Sequence, residues 1–218
     1  MKKWIGALLV LAVIAGGAYW YMKEEAPTKP GVQVETPATA NKKETKEAPK
    51  KESAFSEKAK IELAMAVSAY QNGDYGLANK TLDKLLEEFP KNGRVLAEKG
   101  MTVALQGQTK EGLAYLEKAI KEAPEDVSVL YNLAITHKLA GHLEESKAAF
   151  EKVLEKDPKN TWSMYGIATI FADQGKTEEA LDALAKAIQL DKAVKEVAKV
   201  QDHFASFKGN KRFEDLVK

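Results

Sequence analysis

The chain has 218 residues, with 33 Lys plus Arg against 32 Asp plus Glu and 44% apolar residues, a length that suits one medium domain with appendages. A formal charge of +1 creates no global field to draw nucleic acid. The absence of cysteine removes disulfides, thiolate nucleophiles and zinc–thiolate centres together.

The chain opens with Lys2-Lys3 and then residues 4–22, WIGALLVLAVIAGGAYWYM, which carry no charge. As a helix this stretch reaches roughly 28 Å, close to a bilayer core of about 30 Å. Trp4 at one end and Tyr19, Trp20 and Tyr21 at the other suit two water–lipid interfaces. Residues 1–22 are therefore expected to form a signal anchor that spans the cell (inner) membrane once. Lys2-Lys3 stays cytoplasmic, and the rest is extracytoplasmic or periplasmic. The alternative is a signal peptide cut after Ala18, leaving a secreted or periplasmic protein. Residues 23–54 are mostly Lys, Glu, Pro, Thr and Ala, with Pro27, Pro30, Pro37 and Pro49 among alternating charges. Such a composition buries too little apolar surface to offset ordering, and a disordered linker is expected.

From about Phe55 the pattern is helical and periodic. Pro90, Pro124 and Pro158 recur at a constant interval, and Gly73, Gly107, Gly141 and Gly175 recur at the same one. Proline stops a helix and glycine permits the turn after one, so each unit reads as helix, glycine turn, helix, proline stop. A fourth stop is due at position 192, where Lys192 stands. Two rows of small residues repeat with the same period: Ala66, Gly100, Ala134 and Ala168, then Ala78, Gly112, Ser146 and Ala180. Small residues on facing helices let backbones approach closely. Apolar pairs three apart mark the inward face of each second helix: Leu82/Leu85, Leu116/Ala119, Phe150/Val153 and Leu184/Ala187. Met65, Leu133 and Ile167 occupy the matching inward slot of the first helices, and Lys99 is the exception.

This pattern resembles the tetratricopeptide repeat (TPR) family over about 135 residues, with units at 59–92, 93–126, 127–160 and 161–194. Glu62, Lys99 and Lys192 depart from it. The resemblance implies an all-α fold: a right-handed superhelical solenoid of four helix-turn-helix TPR units spanning 55–194, preceded by the transmembrane helix. Residues 195–218 are expected to form capping helices, with a Val194, Val197, Val200 and Phe204 stripe over the last unit. Phe204, Phe207, Phe213 and Leu216 then fold back on the last helices.

Catalytic chemistry is not visible, and no cofactor, metal or catalytic residue is expected. His137 and His142 lie five apart across a helix end, a poor spacing for a shared metal. GQTK at 107–110 lacks the order and preceding strand of a phosphate loop. Pairs such as Glu144-Glu145 begin second helices, where carboxylates complement the helix dipole.

The resemblance implies that the first helices line a concave face. Its candidate contacts for a protein or peptide are Leu63, Val67, Tyr70, Met101, Leu105, Tyr131, Asn132, Ile135, Trp162 and Tyr165. Val67, Met101, Ile135, Tyr131, Tyr165 and Trp162 are expected to form an exposed apolar stripe, a usual mark of a binding site. Tyr131 and Tyr165 fit packing between helices equally well. Asn132 fits either pairing with a ligand's backbone or simple family habit. The carboxylate clamp of chaperone adaptors is missing, since the matching positions hold Leu63, Val67, Glu98, Ser128 and Asn132. The expectation is a membrane-anchored scaffold for a protein or extended peptide. Its rivals are a chaperone or assembly factor for exported or envelope proteins, and a self-associating structural protein. No nucleic-acid partner is expected.

Overall fold

In the computed structural model, residues 55–218 are described. They form ten α-helices and one 3₁₀ helix, without a strand among the described residues. The helices pair as α1 (Glu57–Gln71) with α2 (Tyr75–Glu88), α3 (Gly93–Leu105) with α4 (Thr109–Glu122), α5 (Val127–Leu139) with α6 (Leu143–Lys156), and α7 (Thr161–Asp173) with α8 (Thr177–Leu190). Then come α9 (Val194–Val200), the 3₁₀ helix Asp202–Phe207 and α10 (Lys211–Val217). The expected membrane segment 1–22 and linker 23–54 lie outside the described residues. A helix needs about 20 apolar residues to cross a bilayer. Among the described residues none is long and apolar enough, α1 being the longest at 15 residues. The single-pass membrane assignment, with its extracytoplasmic repeat domain, is accordingly withdrawn.

Local chemistry sets the boundaries. Side chains of Ser56, Asn92, Asp126 and Asn160 accept hydrogen bonds from backbone N–H groups in the first turns of α1, α3, α5 and α7, satisfying donors the helix itself leaves open. First helices end at Gly73, Gly107, Gly141 and Gly175, with φ of 80°, 88°, 79° and 71°. This left-handed conformation costs glycine nothing and closes a Schellman turn. In unit two the Gln108 N–H donates to the Val103 carbonyl at 3.2 Å, and in unit three His142 N–H donates to His137 at 2.9 Å. No proline stands at 192, yet α8 still ends at Leu190, with Asp191 extended behind it.

The two small rows meet where expected. A Cβ on Gly100 would stand 2.7 Å from the Gly112 carbonyl oxygen, and one on Gly112 would stand 2.6 Å from that of Gly100. Each second helix also packs on the first helix of the next unit, and α3 and α5 touch directly.

The period does not stop at residue 194. Gly209 lies one further repeat length after Gly175 and has φ of 87°. α10 begins at Lys211, which stands to the start of α8 at Thr177 as Gly209 does to Gly175. The ending is therefore a shortened fifth unit, whose first helix is broken where Gln201 is extended. Phe204 anchors it: its ring lies 6.0 Å from Tyr165, 5.6 Å from Phe207 and 5.8 Å from Phe213. Val194 is buried beneath, whereas Val200 points into solvent and does not complete the expected stripe. Met65 also departs from its expected inward slot and is exposed.

Candidate functional site: the face of the first helices

The expected apolar stripe is present as a row but not as a surface. Met101 is 2% exposed and Ile135 5%, and Leu63, Val67, Tyr70, Tyr131, Asn132 and Tyr165 are also buried. Val67, Tyr70, Met101, Tyr131, Ile135 and Tyr165 belong to one core cluster that continues through unit four to the C-terminal aromatics. Packed helices lie about 8–10 Å apart, so long side chains repeated once per unit reach their neighbours and fill the gap between units. The stripe is part of the inter-unit core, which corrects the expectation of exposure. Of the ten candidates, Leu105 and Trp162 alone are half-exposed. Trp162 stands edge-on to Tyr165, ring centres 5.7 Å apart.

Polar groups that sequence reasoning passed over tie the units together along the same row. Tyr70 Oη in unit one donates to Glu98 Oε2 in unit two at 2.8 Å. Asn132 in unit three stands beside that carboxylate, near enough to favour its charge without closing a hydrogen bond of good geometry. Burial pushes the Glu98 pKa above the usual carboxylate range, against the favourable pull of Tyr70 and Asn132. Arg94 Nε donates to Asp126 Oδ2 at 2.7 Å, and Asp126 also caps α5. In unit three, Lys138 Nζ donates to Thr169 Oγ1, lies 3.8 Å from Asp173 Oδ2 and 3.4 Å from His203 Nε2. His203 Nδ1 pairs with Asp173 Oδ1, which links the fifth unit to the fourth. Burial lowers the Lys138 pKa to about 8, partly opposed by Asp173. The signal that could have found this network is a charged residue at a groove position in consecutive units: Glu98, Lys138, Asp173.

Two buried polar atoms on this face lack a partner: Asn132 Nδ2 and Tyr165 Oη. Such atoms are uncommon in folded proteins, and each costs about 1–3 kcal/mol. The Gly141 turn also brings the Nδ1 atoms of His137 and His142 to 3.5 Å, closer than a spacing of five across a helix end suggests. Among the described residues, no group of three or more His, Cys, Asp or Glu could hold a metal ion.

Helix pairs repeated at a constant period around facing small residues define a TPR solenoid. Tetratricopeptide repeat models match residues 63–127, 103–161 and 139–202, and the chain belongs to this family. No curated protein matches the chain. Among solved structures it is similar to YrrB, described as a TPR protein with an unusual peptide-binding site. The identity is 26% and the TM-score 0.50, over 62% of this chain and 74% of that one. It is also similar to TTC0263, a thermophilic TPR protein of Thermus thermophilus, at 16% identity and TM-score 0.60 over 72% and 85% of the two chains. Pseudomonas aeruginosa pilF gives 16% and 0.62 over 72% of each chain. These last two share the fold.

Proposed function

We propose that the protein binds another protein, in the form of an extended peptide segment, along the face of its first helices. Two of the candidate residues form the contact surface in this reading, and two more lie buried next to it with unpartnered polar atoms. Leu105 and Trp162 offer partly exposed apolar area, and Asn132 and Tyr165 offer hydrogen bonds. Leu63, Val67, Tyr70, Met101, Tyr131 and Ile135 form the floor that holds them in place. The observation that carries the reading is the Trp162–Tyr165 pair. A half-exposed tryptophan stands against a buried tyrosine whose hydroxyl has no partner. An extended peptide supplies an apolar side chain for the indole and, where the Trp162 ring turns aside, a main-chain carbonyl as acceptor for the hydroxyl. The similarity to YrrB, a TPR protein with a peptide-binding site, supports the same reading.

The test is selection of extended peptides from a displayed library against the full chain, followed by titration. Trp162→Ala is expected to weaken the selected peptides about tenfold or more while leaving helical ellipticity intact. Retained affinity removes the groove from the account. Weak binding of many unrelated peptides, equally lowered by Trp162→Ala, would favour the chaperone rival over a scaffold.

A further inference from the structure

One end of the solenoid is closed and the other is open. In units two to four, three positions of each first helix are covered by the second helix of the unit before. Val95, Val129 and Ser163 fill the first of these, and all are fully buried. Thr102, Thr136 and Ile170 fill the third and are also fully buried. At the middle position Lys99 shows what does the covering: its Nζ contacts Asp83 at 2.6 Å and Asn79 at 2.9 Å, both on α2. The equivalents in unit one are Ile61, Met65 and Ser68. Ile61 is 62% exposed, Met65 58%, and Ser68 is exposed too.

The repeat itself therefore says what fits this face: a helix with apolar side chains, packed as the preceding unit would be. A second copy cannot supply it head to tail. Its last full second helix, α8, is already covered by α9 and α10. Arg212 of α10 is fastened there to Glu178 and Asp182. The outward residues Lys211 and Asp215 of α10, and Lys218 after it, are charged and exposed, as a terminal cap requires. Residues 23–54, immediately upstream of α1, are Lys- and Glu-rich; a face filled instead by the apolar residues 4–22 further upstream would leave the chain monomeric at every concentration.

We propose that the open end of unit one is a homodimer surface, on which two copies meet head to head about a two-fold axis with their α1 helices crossing antiparallel at Ile61 and Met65. The charge layout of α1 suits this arrangement. Glu57, Lys58, Lys60 and Glu62 all lie in its first half, and Leu63 to Gln71 carry no charge. An antiparallel crossing lays the charged half of one helix on the uncharged half of the other. It avoids like-charge contacts and opposes the helix dipoles. Met65 supplies an adaptable side chain at the centre. One helix face is a small interface, so the dimer forms by mass action and dissociates on dilution.

The chain has no cysteine, so single cysteines report cleanly. In the full-length protein, Met65→Cys is expected to give a covalent dimer under mild oxidation. Leu190→Cys, 40% exposed at the other end, is expected to give about tenfold less. Adding Ile61→Lys to Met65→Cys abolishes the dimer, and Ser68→Arg does so independently. Both sites face solvent in the monomer, so ellipticity is retained. The mass of the unaltered chain in sedimentation equilibrium doubles with concentration. A monomer mass at every concentration, equal crosslinking at Leu190→Cys, or a crosslink that survives both charged substitutions overturns the proposal.

Discussion

Gly100 and Gly112 let α3 and α4 approach closely through the absence of two methyl groups. Each faces the other's carbonyl oxygen, and backbone cannot yield as the end of a flexible side chain can. Gly100→Ala is expected to lower stability by about 1–3 kcal/mol in urea unfolding, the usual cost of overpacking. Alanine fills the same row at Ala66, Ala134 and Ala168, so its effect at Gly100 comes from the partner's approach and not from helix propensity. At Met101 and Ile135 the same scale decides the fate of the apolar row. Their period alone suits an exposed stripe and an inter-unit core equally. The spacing between stacked units selects the core.

Among elements, α5, α7 and the broken first helix of the fifth unit meet at Lys138, Thr169, Asp173 and His203. The folded state holds the Lys138 proton less tightly than the unfolded chain does, with a pKa of about 8 against an ordinary 10.5. Between those pH values the unfolded chain carries more protons, so stability rises with pH across that window. Below about pH 8 the cost of the buried charge is fully present. Lys138→Met is expected to abolish the rise and to stabilise the protein at pH 7 by on the order of 1–3 kcal/mol. Urea unfolding at pH 7 and pH 9.5 checks both outcomes. Glu98 works in the opposite direction: its raised pKa means that stability falls as pH rises from about the ordinary carboxylate value.

Across the whole molecule the repeat architecture makes stability a sum of units and interfaces, and the two ends are unequal. Unit five closes the C-terminal end with Phe204, Phe207 and Phe213 buried, whereas α1 has one side uncovered. In dilute solution, amide hydrogen exchange is therefore expected to be fastest in α1 and slowest in α3 to α7. Raising the concentration is expected to slow α1 selectively as the two-fold interface forms. Uniform protection from α1 to α8 would contradict the open end.

The sequence alone determined the helix pairs and their order, because glycine and proline act locally. A left-handed turn and a missing N–H leave the same mark wherever they occur, and four glycines at one spacing leave little freedom. It even carried the fifth unit in Gly209, obscured by Lys192 and by the broken helix before it. What covers each side chain was decided only by the tertiary structure. Whether Ile135 is surface or core, and whether Met65 is core or surface, depends on a helix of the neighbouring unit. The meeting of Glu98 with Tyr70, or of Lys138 with His203, depends on the stacking of units. Burial belongs to pairs of elements, and a period read along one chain cannot tell which pairs are missing at an end.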